Sequence, residues 1–131
     1  MEAPGPARLY AAVTGAFLVV LGILGFFYDA SFGGLDSYEE AFAGLQVNGW
    51  LNLFYLATGA VGVLVAGASS RGYALAIGLV YTALAIVGWG SLGLNLAVGV
   101  LGLAAAAAGT AKPGRGPRRL KPRAKPARQR V

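Results

Sequence analysis

GYALAIGLVYTALAIVGWGSLGLNLAVGVLGLAAAAAGTA, residues 72–111, contains no charged residue. A helix of about 20 apolar residues crosses a bilayer core. Residues 73–111 number 39, too many for one crossing, so the chain must reverse within them. Trp89-Gly-Ser-Leu-Gly93 is the place for a tight turn, because its glycines interrupt the helical pattern. Helical spans are predicted at Tyr73–Trp89 and at Leu92–Thr110, with Ser91 as a candidate cap of the second. That second span has no aromatic residue and carries five consecutive alanines near its end, which makes it thin.

Two further spans lie upstream. Residues 41–70 are also uncharged. They give a span from about Trp50 to Gly67, with Asn48 as N-cap and Ala68-Ser-Ser-Arg-Gly72 as the following turn. Leu9–Tyr28 is uncharged as well, and its 20 residues make about 30 Å of helix, the thickness of a bilayer core. A cleaved signal peptide is the competing reading of this first run. The run is long for one, a single basic residue precedes it, and Tyr28-Asp-Ala-Ser-Phe32 is a poor cleavage site, so a retained span is preferred.

The loop 29–47 separates spans one and two. Gly33-Gly34 breaks any helix there, and Ser37-Tyr-Glu-Glu40 fits a capping box. A short amphipathic helix from about Tyr38 to Gln46 is predicted, with Tyr38, Ala41, Phe42 and Leu45 on one face, lying on the membrane surface or capping the bundle.

Composition agrees with lipid as the solvent. Hydrophobic residues make up 56% and charged residues 12% of the 131, against roughly 45–50% and about 25% in soluble domains. The abundance of Ala, Gly and Arg suggests a GC-rich bacterial genome. Cysteine and histidine are both absent. That removes disulfides, thiolate chemistry, and the commonest metal ligand and general base. No cofactor and no enzymatic activity are expected, since no nucleophile–base pair or metal cluster can be assembled.

Charge sets the orientation. Arg8, Arg71 and nine basic residues between Lys112 and Arg130 fall on one side of a four-span arrangement, and the acids Asp29, Asp36, Glu39 and Glu40 on the other. The positive-inside rule puts both termini in the cytoplasm of a cell inner membrane. Phe26, Phe27, Tyr28, Trp50, Phe54, Tyr55 and Trp89 then lie near the outer ends, where aromatic rings favour the interface. The segment 111–131 has no acid or aromatic and is expected to be a disordered tail. Its Lys112, Arg115, Arg118, Arg119, Lys121, Arg123 and Lys125 are candidate contacts to anionic lipid headgroups, at about 1 kcal/mol each. Nucleic acid is not an expected partner, because nothing in the tail would stack on bases.

A faint internal repeat runs through the spans. Gly15, Leu21, Ile23, Gly25 and Phe26 align with Gly78, Leu84, Ile86, Gly88 and Trp89. Leu51-Asn-Leu53 and Gly59 align with Leu94-Asn-Leu96 and Gly102. The matches are few and the background is of low complexity. If real, the repeat makes the two hairpins parallel copies about an axis along the membrane normal. It also makes Asn52 and Asn95 equivalent, and these are the candidate intramembrane polar sites. Their plainer role is an inter-helix hydrogen bond worth roughly 1 kcal/mol. Small residues at four-residue spacing (Ala11/Gly15, Thr58/Gly62/Ala66, Ala74/Gly78/Thr82, Gly102/Ala106) suit close helix packing, or else an oligomer or partner interface. No Asp, Glu, Lys or Arg lies inside a span, and all six prolines lie outside them, which argues against a proton-driven carrier.

The stretch Phe42-Ala-Gly-Leu-Gln-Val-Asn48-Gly-Trp-Leu-Asn52-Leu-Phe-Tyr-Leu-Ala-Thr-Gly59, together with Leu21-Gly-Ile-Leu-Gly25-Phe26, resembles an uncharacterised bacterial family of four-span membrane proteins, domain of unknown function 4383. The likeness covers roughly residues 8–110. It implies fold and location and supplies no activity. The family's pattern places histidines beside the Asn that opens span two and again in span four, and those places hold Leu51, Tyr55 and Asn95 here. Chemistry that depended on those histidines is closed to this chain.

The whole reading is an all-α integral membrane four-helix bundle made of two helical hairpins, with the amphipathic helix in its outer loop and the basic tail beyond. The function expected is that of a non-enzymatic accessory or structural component acting through helix contacts and the tail. A small channel or transporter formed by an oligomer is the alternative. The expected partners are the bilayer and either a second copy or another membrane protein.

Overall fold

The computed structural model describes residues 5–40 and 44–108, which form four helices. Helix α1 spans Pro6–Tyr28, with Pro6 in the first turn, where its missing N–H and fixed φ suit a helix start. Helix α2 spans Gly49–Val65 and opens on Asn48, whose Oδ1 accepts from the Leu51 N–H at 2.7 Å, as an N-cap should. Helix α3 spans Ser70–Val87. Gly88, at φ 77°, closes it in the left-handed region, and the N–H groups of Gly88 and Trp89 both return to Leu84 O. Helix α4 spans Leu92–Ala108. The reversal between α2 and α3 occupies residues 66–69, so Arg71 lies in the first turn of α3 rather than in the turn where the sequence placed it.

The helices pack as two pairs, α1 with α2 and α3 with α4, and α1 also touches α3 and α4. Glycine governs both close crossings. A Cβ on Gly15 would lie 2.8 Å from Gly59 O, and one on Gly59 would lie 2.6 Å from Gly15 O. A Cβ on Gly78 would lie 2.7 Å from Leu103 N, and one on Gly102 would lie 2.9 Å from the Gly78 Cα. Gly15 aligns with Gly78 and Gly59 with Gly102 in the sequence repeat, so the two hairpins cross at equivalent residues. The small-residue stripes face mainly inward: Ala11, Gly15, Gly62, Ala74, Gly78, Gly102 and Ala106 are buried, and Thr58, Ala66 and Thr82 are half-buried. They serve packing within the bundle.

The loop departs from the sequence reading. In place of the predicted amphipathic helix at 38–46, Glu39–Glu40 (β1) and Gln46–Val47 (β2) pair antiparallel, with Glu39 opposite Val47. Gly44, at φ 72°, sits in a conformation that a helix interior does not use. The loop backbone is also claimed by side chains from the bundle. Asn48 Nδ2 donates to Leu35 O and Ser37 O, Trp89 Nε1 to Leu35 O at 2.7 Å, and Trp50 Nε1 to Gly33 O. These partners hold the loop extended across one end of the bundle, and buried Val47 and half-buried Leu45 and Tyr38 face it.

Candidate functional site

The polar groups inside the bundle are concentrated toward this loop end. Asn52 and Asn95 are 0% and 1% exposed. Asn52 Nδ2 donates to the carbonyl of Asp29, the C-cap of α1, at 2.8 Å. Asn95 Nδ2 donates to the carbonyl of Trp89, just beyond α3, at 2.6 Å. Each asparagine thus satisfies a carbonyl freed at the end of its partner helix. The pair is equivalent in role as well as in sequence.

The Asn52 side chain is seated against Gly25, where any Cβ would overlap it. The Oδ1 atoms of Asn52 and Asn95 and the Tyr55 hydroxyl are buried without a protein partner. A neutral acceptor left this way costs about 1–3 kcal/mol. Three residues converge on the turn after α3. A Cβ on Gly90 would lie 3.1 Å from Leu51 Cδ2 and 3.4 Å from the Tyr55 hydroxyl, and Asn95 holds the adjoining Trp89 carbonyl. Leu51, Tyr55 and Asn95 are the positions where the resemblance expects histidine. The sequence carries no signal that these three residues meet, because the meeting depends on where α2 and α4 cross the α3–α4 turn.

A seam of hydroxyls continues toward the other end. Thr58 Oγ1 bonds to Phe54 O at 2.8 Å and shares a hydrogen bond with the Tyr81 hydroxyl at 2.8 Å. Tyr73 OH donates to Thr58 O at 2.8 Å, and Tyr10 OH to Val98 O at 2.7 Å. Tyr55, Tyr73, Tyr81 and Tyr10 come from three helices and lock α1, α2, α3 and α4 together through backbone carbonyls and ring contacts. The sequence reading placed Tyr55 near the outer interface, whereas Tyr55, Tyr10, Tyr73 and Tyr81 are all buried. Phenols on apolar helices carry no sequence mark of whether they face inward.

Chemically this interior is neutral. Among the described residues, no three Asp or Glu side chains gather at one point. The amides and phenols hold helix ends and helix crossings in place. At the opposite end, Arg71 Nε donates to Ala106 O in the last turn of α4, where a cation and a freed carbonyl suit one another. Lys112, Arg115, Arg118, Arg119, Lys121, Arg123 and Lys125 lie outside the described residues, as do Ala41 and Phe42 of the loop.

No curated protein and no solved structure matches this chain. A family described as Domain of unknown function (DUF4383) matches residues 8–108, which hold all the paired glycines, both asparagines and the four core tyrosines. This chain is a member of the DUF4383 family.

Proposed function

We propose that the protein is a multi-pass membrane component of four spans with cytoplasmic termini, working without catalysis through helix contacts and its basic tail. One observation carries the reading. The usual distribution of side-chain size is inverted. Glycine, alanine, asparagine and tyrosine line much of the interior, while bulky apolar side chains stand outside on every helix, among them Phe27 at 82% exposed, Leu64 at 82% and Ile86 at 81%. In water such a surface drives aggregation. In hydrocarbon it is already solvated, and helices then associate through close packing of small residues and hydrogen bonds between them.

Length supports the same reading unevenly. Helices α1 and α3, at 23 and 18 residues, are long and apolar enough to cross a membrane. Helices α2 and α4, at 17 residues each, reach about 25 Å, at the short edge of the roughly 17–25 residues that spans use. The loop that folds over their ends and the interfacial aromatics suit short spans of this kind.

The burial of Asn52 and Asn95 inside their own hairpins weighs against an oligomeric path lined by those residues. The test is photo-crosslinking in intact cells from Leu64 or Ile86, followed by reconstitution in liposomes. The expected result is membrane-bound protein joined to one different membrane protein, with no flux across liposomes. Ion or solute flux through the purified protein overturns the accessory role, and protein that stays dispersed without detergent overturns the membrane reading.

A further inference from the structure

We infer that the two hairpins are rigid bodies hinged at a pair of exchanged tyrosines, and that they part at the opposite end, where the loop meets the α3–α4 turn. Each hairpin is rigid because its helices meet backbone to backbone, at Gly15 and Gly59 in the first and at Gly78 and Gly102 in the second. Asn52 and Asn95 bond to carbonyls within their own hairpins, so neither bond resists the motion. Asn48 and Trp50 tie the loop to the start of α2, so the loop travels with the first hairpin. Hydrogen bonds between the hairpins involve side chains, and they fall into two groups of different exposure.

The hinge is built from the repeat. Arg8-Leu-Tyr10-Ala11 recurs as Arg71-Gly-Tyr73-Ala74, at the same spacing as Gly15 and Gly78. The Tyr10 and Tyr73 rings meet at 6.2 Å. Each hydroxyl then crosses to the other hairpin, Tyr10 donating to Val98 O of α4 and Tyr73 to Thr58 O of α2. Each phenol also lies on a glycine there. A Cβ on Gly102 would come 2.7 Å from the Tyr10 hydroxyl, and one on Gly62 would come 2.5 Å from that of Tyr73. Tyr81 adds a bond to Thr58 Oγ1. All three tyrosines are buried, where water does not compete for their partners.

The loop end is held less firmly. Trp89 Nε1 donates to Leu35 O, the Gln46 N–H to Ser91 Oγ, and the Gly90 N–H to the Tyr38 hydroxyl. The first two bonds are exposed, so water can replace either partner at small net cost. Behind them the Tyr55 hydroxyl of α2 faces Gly90, buried and without a protein partner. Parting the hairpins here separates the Phe54 and Trp89 rings, which meet edge to face at 5.6 Å. That loss is offset by hydration of the Tyr55 hydroxyl. Rigid units that close around a fixed contact are a common form of two-state motion. With the tyrosine end shut, the opening leads to no path through the bundle.

The test is double electron–electron resonance on the full-length chain in detergent. One pair of spin labels replaces Leu53 and Leu92, exposed at the loop end of α2 and α4, and a second pair replaces Leu64 and Ala104, exposed toward the other end. The loop-end pair should show an added population longer by more than about 2 Å, and the other pair a single distance. Ser91→Ala combined with Trp89→Phe should at least double the longer population and leave the Leu64–Ala104 distance unmoved. Tyr38→Phe supplies the same test should that combination misfold. Tyr10→Phe with Tyr73→Phe should instead widen the Leu64–Ala104 distribution. A single loop-end distance unmoved by both loop-end variants overturns the hinge, and so does widening of both label pairs together. The motion needs only the packing of the two hairpins, so either result leaves the membrane reading standing.

Discussion

Gly15 and Gly78 show how much one missing methyl group decides. Each lies against the backbone of the neighbouring helix, where a Cβ would come within 2.8 Å of main-chain atoms. Backbone cannot step aside as a flexible side chain can, so the helix pair must separate. Gly15→Leu and Gly78→Leu should each destabilise their own hairpin by at least about 1–3 kcal/mol, the ordinary cost of overpacking. Thermal unfolding in detergent measures this, and an unchanged midpoint for either variant would show that the crossing is looser than described. The asparagines act at the same level of detail. Asn52→Ala and Asn95→Ala each remove one hydrogen bond to a helix-end carbonyl, for a loss of about 1 kcal/mol. They share no partner, so the double variant should lose the sum. A departure from additivity beyond about 0.5 kcal/mol would mean that the two form one site.

The loop is the element that local sequence signals misjudged. Ser37 and Glu40 do fit a capping box, and Tyr38 and Leu45 do share a helical face by spacing. The winning interactions are long-range: Trp89 and Asn48 hold the Leu35 carbonyl, Ser91 Oγ accepts from the Gln46 N–H at 2.9 Å, and Tyr38 OH accepts from the Gly90 N–H. A short isolated helix is marginal, and a few tertiary hydrogen bonds outweigh its propensity. Trp89→Phe keeps the ring but removes its donor. It should leave the four helices intact and speed amide exchange across residues 33–40, while equal exchange in variant and parent would remove Trp89 as the clasp. Asn48 illustrates the reverse case. Its role as N-cap was legible from its place before span two, and the structure adds that its amide also ties down the loop.

For the bundle as a unit, topology is the testable quantity. The chain has no cysteine, so single cysteines can be introduced without background. Cysteine replacing exposed Ser37 should react with an impermeant maleimide in whole cells, and cysteine replacing Gln129 only after lysis. The reverse pattern would invert the orientation derived from basic residues. The faint repeat also acquires meaning at this level, because its aligned glycines form the same crossing twice and its aligned asparagines perform the same capping twice.

The sequence by itself determined the four long helices, their approximate limits, the Asn48 cap and the likeness to the DUF4383 family. Those properties follow from hydrophobic run length and local backbone chemistry, which need no knowledge of neighbours. Tertiary structure alone decided that Glu39–Glu40 and Gln46–Val47 pair as strands, that the tyrosines face inward, that Leu51, Tyr55 and Asn95 meet at one turn, and that a groove opens beside Ala104. A helix that is apolar on every side carries little periodic signal for its inward face. That face is chosen by which small residues allow two backbones to touch.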